Sequence, residues 1–463
     1  MHPMTSFVSP QLERIHRGKV RDSFRIDRNR RLVISTDRLS AFDRVLATPI
    51  PGKGAILNSL SAFWFEQTRD IVPNHFVRIA ADRAMVVEEA TPIRVEMIVR
   101  AFLAGSAWRA YRSGRRTLSG VDLPDGLERN ARFREPIVTP TTKEAHDTEI
   151  AAQDIVRAGL ATKDAYRRME TAALALFARG TELLRARGLL LVDTKYEFGL
   201  RDDEVILIDE VHTPDSSRFW NQEAYERDPQ SVEAWDKEYV RRWLLEQEEG
   251  GLSPDALPDE IVEEMQRRYA ELYERVTGEQ APPIPTDATA HTVSQLVAAN
   301  LMRDACVTVV MGSSADRKHA IEIAGHLEGH DVAVRLRVAS AHKSPSYVEA
   351  LARELSESAE PGAVIAVAGL SNGLGGALAA NTNLPVINCP PFVDRTDILL
   401  NLGSSIMMPS STPAMTVLKP QNAAQAALRC LGLTRLRRRM SADIEERRTE
   451  IRRADDTLRG TGS

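Results

Sequence analysis

The sequence predicts an α+β unit followed by an α/β unit with a parallel, doubly wound sheet, and three observations carry that expectation. Short alternating runs such as RRLVIST and RVEMIV mark the first part as antiparallel sheet. After residue 304 the pattern changes to strand, turn and helix in regular succession, the grammar of a parallel sheet. Between them, EQAPPIPTDATAHTVSQLVAAN, within 279–304, carries paired prolines and small polar residues that suit a linker.

The elements follow in order. Residues 14–50 alternate basic, apolar and acidic positions, and LLLVDTKYEFGL and VILIDEVH repeat that pattern later. Within 148–187, Ile155, Leu160, Met169, Ala173 and Leu176 recur at helical spacing. The run PDEIVEEMQRRYAELYERVTG opens on Pro258 and closes on Gly278, the usual punctuation of a helix. Residues 1–278 therefore read as one α+β unit and 279–304 as its linker. In 305–432, VTVVMGSS, VAVRLRVAS, AVIAVAGL and LPVINCPP alternate with helical segments. The tail, 433–463, is dense in both charges and predicts an exposed helix, suited to lying on a neighbouring subunit.

Composition narrows the function. With 463 residues, 43% hydrophobic and 27% charged, the chain can bury more than one core. A net charge of -5 gives no field to gather nucleic acid, so small ligands are expected and any phosphate recognition is local. Cys306, Cys389 and Cys430 lie far apart with no zinc spacing, which predicts a reducing compartment. The longest apolar run, GAVIAVAGL at 362–370, is too short for a bilayer span, and the N-terminus has no signal pattern. A soluble, cytoplasmic protein is expected.

Three turns at consecutive strand ends carry chemistry in the second unit. VVMGSSADRKHA, at 309–320, ends a strand and opens a helix, which is the build of an anion-binding corner. Gly312 lets the chain turn, Ser313 offers a hydroxyl and an amide to a phosphate, and Asp316 is placed for ribose hydroxyls. An ordinary capped helix start uses the same residues. The neighbouring corners favour a ligand: SAHKSP puts His342 and Lys343 at the next strand end, and AGLSNGLGGALAANT puts four glycines in eight residues at the third.

The first unit has its own candidates. Lys19 follows a glycine between short strands, where an ammonium meets nucleotide phosphates. Glu197 and Asp209 flank a predicted hairpin and suit magnesium through oxygen ligands. Arg100, Ser106 and the turn DSSR at 215–218 supply guanidinium forks and hydroxyls that match a phosphate.

GSSADRKHA, SAHKSP, VAVAGLSNGLGGALAANTNLPVINCPP and TVLKPQNAAQAALRCLGL together resemble phosphoribosylaminoimidazole (AIR) carboxylase, over nearly all of 305–432. The resemblance implies a three-layer, flavodoxin-like domain that assembles as an octamer. It implies AIR or CAIR binding by Gly312, Ser313, Asp316, Ser340, Ser371, Asn372, Gly373 and Gly375. One kind in that family is a mutase that moves a carboxyl group from a carbamate, with SAHR and a His in its third loop. Here SAHK and SNGLGG resemble the kind in the animal bifunctional enzyme, which adds carbon dioxide directly, without biotin. The enamine-like carbon of AIR then needs only placement and a base. His342 is the candidate proton shuttle, and Lys343 is able instead to polarise the incoming carboxyl group. A non-catalytic module that regulates the first unit remains the alternative.

GKVRD, D-R-x-S-A-F-D, D-x-K-x-E-F-G and DE-x-x-x-PDSSR resemble SAICAR synthetase, over about 14–278. That resemblance implies a two-lobed ATP-binding fold that joins L-aspartate to CAIR, with ATP and Mg2+. It implies Lys19 and Arg21 at the nucleotide and Glu197 and Asp209 at magnesium. Arg100, Ser106, Asp215, Ser216 and Arg218 fall around CAIR, with Asp193 and Lys195 as catalytic groups and Asp43 beside the ligands.

Overall fold

The computed structural model describes residues 2–42, 44–143, 148–232, 234–249 and 254–460. The chain divides into two compact units, Met1–Phe7 with Arg14–Gln295, and Val8–Glu13 with Leu296–Ser463.

The first unit is built on two large antiparallel sheets. One orders five strands as Glu13–Arg17, Arg21–Arg25, Arg30–Ser35, Ala84–Glu88 and Phe76–Ala81. The other is built on two long strands, Thr91–Phe102 and Leu189–Arg201, which run antiparallel side by side. Glu204–Ile208 and Ser217–Asn221 add to the second of these. The predicted hairpin is present: Leu189–Arg201 returns as Glu204–Ile208 through Asp202 and Asp203, with φ 50° and 65°. Two positive φ values in a two-residue turn match the right-handed twist of the strands, and Asp tolerates that backbone. Helix Lys163–Arg185 covers this sheet with Met169, Ala173, Leu176 and Phe177.

Three expectations meet differences here. The helical stretch within 148–187 is two helices, Ala152–Arg157 and Lys163–Arg185, because Gly159 turns at φ 70° and Thr162 caps the second. The expected linker carries a helix, Ala288–Ala298, since Asp287 accepts from the amides of Thr289 and Ala290 at 2.9 Å, beyond the last proline. And Val8–Glu13 belongs to the second unit: Ser9 Oγ donates to Glu360 at 2.8 Å, and Arg335 Nε donates to the Pro10 carbonyl at 2.8 Å.

The second unit is a parallel sheet in the order Ala333–Val338, Cys306–Met311, Gly362–Val367, Val386–Asn388, Met415–Thr416. Apolar runs buried on both faces fit this sheet. Helices Arg317–Leu327 and Pro420–Cys430 pack on one face, Pro345–Ser356 and Gly373–Asn381 on the other. The layers are those of a flavodoxin-like domain. The strand order reverses between Cys306–Met311 and Gly362–Val367, which opens a crevice at their carboxyl ends. The charged tail forms helix Thr434–Leu458, which buries only Leu436 and Met440. Among the described residues, no helix is long and apolar enough to cross a membrane.

Candidate active sites

A cavity of about 1160 Å³ in the first unit is lined by all eleven site residues expected there, among them Lys19, Arg21, Ser106 and Ser216. The strand Leu189–Arg201 explains the convergence. Its side chains alternate, so Asp193, Lys195 and Glu197 stand on one face. Asp193 pairs in register with Arg100 on one neighbouring strand and with Arg218 on the other. Its Oδ2 accepts from Arg218 Nη1 at 2.5 Å and from Arg100 Nη1 at 3.3 Å. Arg100 Nη2 also reaches Ser106 Oγ at 3.4 Å. Two buried guanidiniums thus share one carboxylate, with a hydroxyl beside one of them, a positive pole suited to a phosphate.

Four residues along, Glu197 faces Glu96 across the strand pair. Lys195 Nζ sits between them, 2.7 Å from Glu96 and 3.1 Å from Glu197, and Lys143 reaches the other oxygen of Glu197. Burial pushes the Glu197 carboxyl up, but the lysines outweigh it and hold it down at about 2. Asp209, at the end of the hairpin with φ 71°, pairs with Arg21 at 2.8 Å, and Arg21 also donates to Glu210 at 3.0 Å. Burial, with Glu197 and Glu210 close by, pushes Asp209 up to about 6 despite Arg21.

Among the described residues, no group of three or more His, Cys, Asp or Glu is arranged to hold a metal. Two carboxylates fit magnesium all the same, because Mg2+ binds through one or two carboxylates and takes its other ligands from phosphates and water. Asp209 is raised mainly by burial and further by the nearby carboxylates Glu197 and Glu210, whose charge a hard cation would relieve.

Several residues in and around the cavity were not predicted. Glu96, Lys143 and Glu210 complete the ionic network, and Lys53 Nζ, fully buried, donates to Asp215 at 2.8 Å. Glu96 had a signal: it lies four residues before Arg100 in a strand, hence on the same face. Asp43 lies outside the described residues.

In the second unit the three expected turns meet at the carboxyl edge. The Gly312 amide donates to the Val367 carbonyl at 2.8 Å, which closes the first corner on the third strand. Ser313 Oγ accepts from the Ala315 amide at 3.1 Å, and Asp316 ends the short turn that follows. Ser340 Oγ accepts from the Lys343 amide at 3.3 Å and so shapes the SAHK turn. His342 and Lys343 are exposed. A Cβ on Gly373 would stand 3.2 Å from His342 Cε1, so the imidazole lies over that glycine. Ser371 is exposed, while Asn372 is buried: its Nδ2 donates to Ser405 Oγ at 3.0 Å and its Oδ1 caps the Gly375 amide. A Cβ on Gly375 would fall 1.6 Å from Asn388 Oδ1, so any side chain there displaces the buried Asn388.

A buried ionic cavity on antiparallel strands and a glycine-rich crevice on a parallel sheet define a two-domain enzyme of phosphorylated small molecules. The SAICAR synthetase family matches residues 14–253 and the AIR carboxylase family residues 306–453. A phosphoribosylaminoimidazole-succinocarboxamide synthase of Bacteroides fragilis is 43% identical over 65% of this chain and 98% of its own length. One from Bacteroides thetaiotaomicron is 44% identical over 60% and 91%. The SAICAR synthase of Saccharomyces cerevisiae, solved with SAICAR, is 34% identical over 60% of this chain and 99% of its own, with TM-score 0.54. The chain belongs to the SAICAR synthetase family and carries an AIR carboxylase domain after it, which makes it a bifunctional enzyme of purine biosynthesis.

Proposed function

We propose that the second domain carboxylates AIR with carbon dioxide to CAIR, and that the first joins CAIR to L-aspartate at the expense of ATP, giving SAICAR, ADP and phosphate. The observation that carries the reading is the strand Leu189–Arg201: it sets an arginine-flanked Asp193 at one end of a cavity and a Lys195, Glu197 pair at the other. One end suits the phosphate of CAIR, with Arg100, Ser106, Ser216 and Arg218 as its donors and Asp215 close by. The other suits a nucleotide, with Lys19 and Arg21 toward its phosphates. Bound at Glu197 and Asp209, Mg2+ would neutralise charge on the phosphates.

A carboxylate is a poor electrophile, so phosphoryl transfer from ATP to the CAIR carboxylate makes an acyl phosphate that the aspartate amine attacks, with phosphate leaving. Lys195 is placed to stabilise negative charge on the transferring group, and Asp193 keeps both arginines oriented. In the second domain, Gly312 and Ser313 receive the AIR phosphate, Asp316 the ribose, and Ser340, Ser371, Asn372, Gly373 and Gly375 complete the pocket. His342, over Gly373, removes the ring proton once carbon dioxide has added, and Lys343 polarises the new carboxyl group.

Large apolar side chains support an oligomer, the octamer expected of such domains: Leu370, Val393, Leu399 and Met407 are all more than 70% exposed. A cytoplasmic location is part of the same reading. Incubation with AIR and carbon dioxide, without ATP, should yield CAIR; a requirement for the carbamate substrate makes the second domain a mutase. His342→Asn should abolish that step and leave CAIR-to-SAICAR conversion intact. A variant that still converts AIR makes the domain a regulatory module instead.

A further inference from the structure

Two residues on one short loop of the first domain have left-handed backbone, Asp209 at φ 71° and His212 at φ 45°. Side-chain-bearing residues enter that region at a cost, and it persists where the surroundings over-determine it. At Asp209 the turn delivers a carboxylate to the cavity, where it meets Arg21. His212 does not line the cavity and is fully buried.

Its socket is specific. His212 Nε2 lies 2.5 Å from Tyr196 Oη, and the indole of Trp64, on helix Lys53–Gln67, meets the imidazole edge-on with centroids 4.6 Å apart. Gly180, on helix Lys163–Arg185, makes room for the ring, because a Cβ there would stand 2.4 Å from His212 Cε1. Nδ1 is buried with no hydrogen-bond partner among the described residues. An apolar side chain of similar size avoids that unpaired nitrogen, so stability alone does not account for an imidazole here. What the imidazole adds is a directional bond to Tyr196.

Tyr196 stands between Lys195 and Glu197 on strand Leu189–Arg201, and alternation turns it away from the cavity. Its bond to His212 therefore ties the loop to the strand on the far side. On the cavity side the same two segments carry carboxylates: Glu197 beside Tyr196, and Asp209 three positions before His212, with Glu210 next to it. Asp209 and Glu210 share one nitrogen, Arg21 Nη2, at 2.8 and 3.0 Å. Like charges so gathered repel, and an untied loop relieves the repulsion by drawing Asp209 away from Glu197. Further along, the loop has its own anchors, Asp215 on Lys53 at 2.8 Å and Arg218 on Asp193 at 2.5 Å.

We propose that His212 is a positioning residue: bonded to Tyr196, it holds Asp209 within reach of Glu197, so that both carboxylates stand ready when a magnesium nucleotide arrives. The inference rests on the magnesium reading above and adds the part of the fold that keeps the two ligands together.

The test measures metal–nucleotide coupling in the full-length chain. ADP affinity is read by calorimetry in EDTA and in saturating Mg2+ for the wild type, Tyr196→Phe, His212→Leu and the double variant, with thermal melts alongside. Tyr196→Phe removes one hydroxyl and keeps the ring. The tightening of ADP by Mg2+ should be about tenfold smaller in each variant, with affinity in EDTA within about twofold. The Mg2+ concentration for half-maximal SAICAR formation should rise about tenfold, with KM for CAIR within about twofold. The double variant should match the singles, since all three lose the same bond. Gly180→Ala, which drives a Cβ into the imidazole from a helix outside the cavity, should reproduce the effect. A lower melting temperature with unchanged tightening by Mg2+ would make His212 purely structural, and a rise in KM for CAIR as large as the metal effect would mean the whole loop shifts; either overturns the proposal. Wild-type protein whose ADP affinity ignores Mg2+ would overturn the magnesium reading first.

Discussion

Gly105 offers a sharp perturbation of the first site. It opens helix Gly105–Arg112 at φ 54°, a left-handed backbone that costs an alanine about 1 kcal/mol. A Cβ there would stand 2.3 Å from Arg218 Nη2 and 2.7 Å from Nη1, so the guanidinium must retreat by about 1 Å to regain ordinary contact. Arg218 is buried and bonded to Asp193 at 2.5 Å and to Glu238 at 3.1 Å. A shift of that size breaks at least one charge-assisted bond, about 1.5 to 3 kcal/mol. Gly105→Ala should therefore destabilise the first domain by about 2.5 to 4 kcal/mol in urea titrations and raise KM for CAIR at least tenfold. Gly114 is the control, because it also has positive φ, 97°, but nothing within 4 Å of its Cβ position. Gly114→Ala should cost only the backbone strain, about 1 kcal/mol, and leave KM for CAIR unchanged. If the two variants behave alike in both assays, the packing of Gly105 against Arg218 has no functional weight.

Two further outcomes follow from buried side chains. Gly375→Ala should unfold the second domain at lower urea, by about 1 to 3 kcal/mol, and Asn388→Ala in the same chain should recover part of that loss, a non-additivity read by a double-mutant cycle. His212 is fully buried against Tyr196, its ring 2.5 Å from the phenol oxygen, and burial lowers its pKa to about 3. A histidine so depressed stays neutral in the folded state while the unfolded chain takes up protons. Its contribution to stability is complete above about pH 6.5 and is lost, by about 1.4 kcal/mol per pH unit, as pH falls toward 3. His212→Leu should flatten the acid limb of the stability profile by that slope. An unchanged slope would mean the imidazole takes up a proton in the folded protein.

What the sequence determined by itself was whatever depends on neighbours along the chain. Alternation put Asp193, Lys195 and Glu197 on one strand face, the Asp202, Asp203 turn folded that strand back, and the glycines at 312, 373, 375 and 376 marked where strands give way to helices at a crevice. These follow from a two-residue or 3.6-residue period and from turn chemistry, which act over a few residues. Tertiary structure alone decided the rest. Lys53 and Asp215 are 162 positions apart, so no local pattern announces their pairing. Gly105 reads as an ordinary helix start until Arg218 is laid over it. The prolines within 279–304 suggest a linker, whereas an aspartate cap two residues beyond the last of them begins a helix, and Val8–Glu13 leaves the sheet it precedes because Glu360 and Arg335 offer it partners more than 300 residues away. Contacts that distant are set by how whole layers pack, a property of the folded chain rather than of any segment.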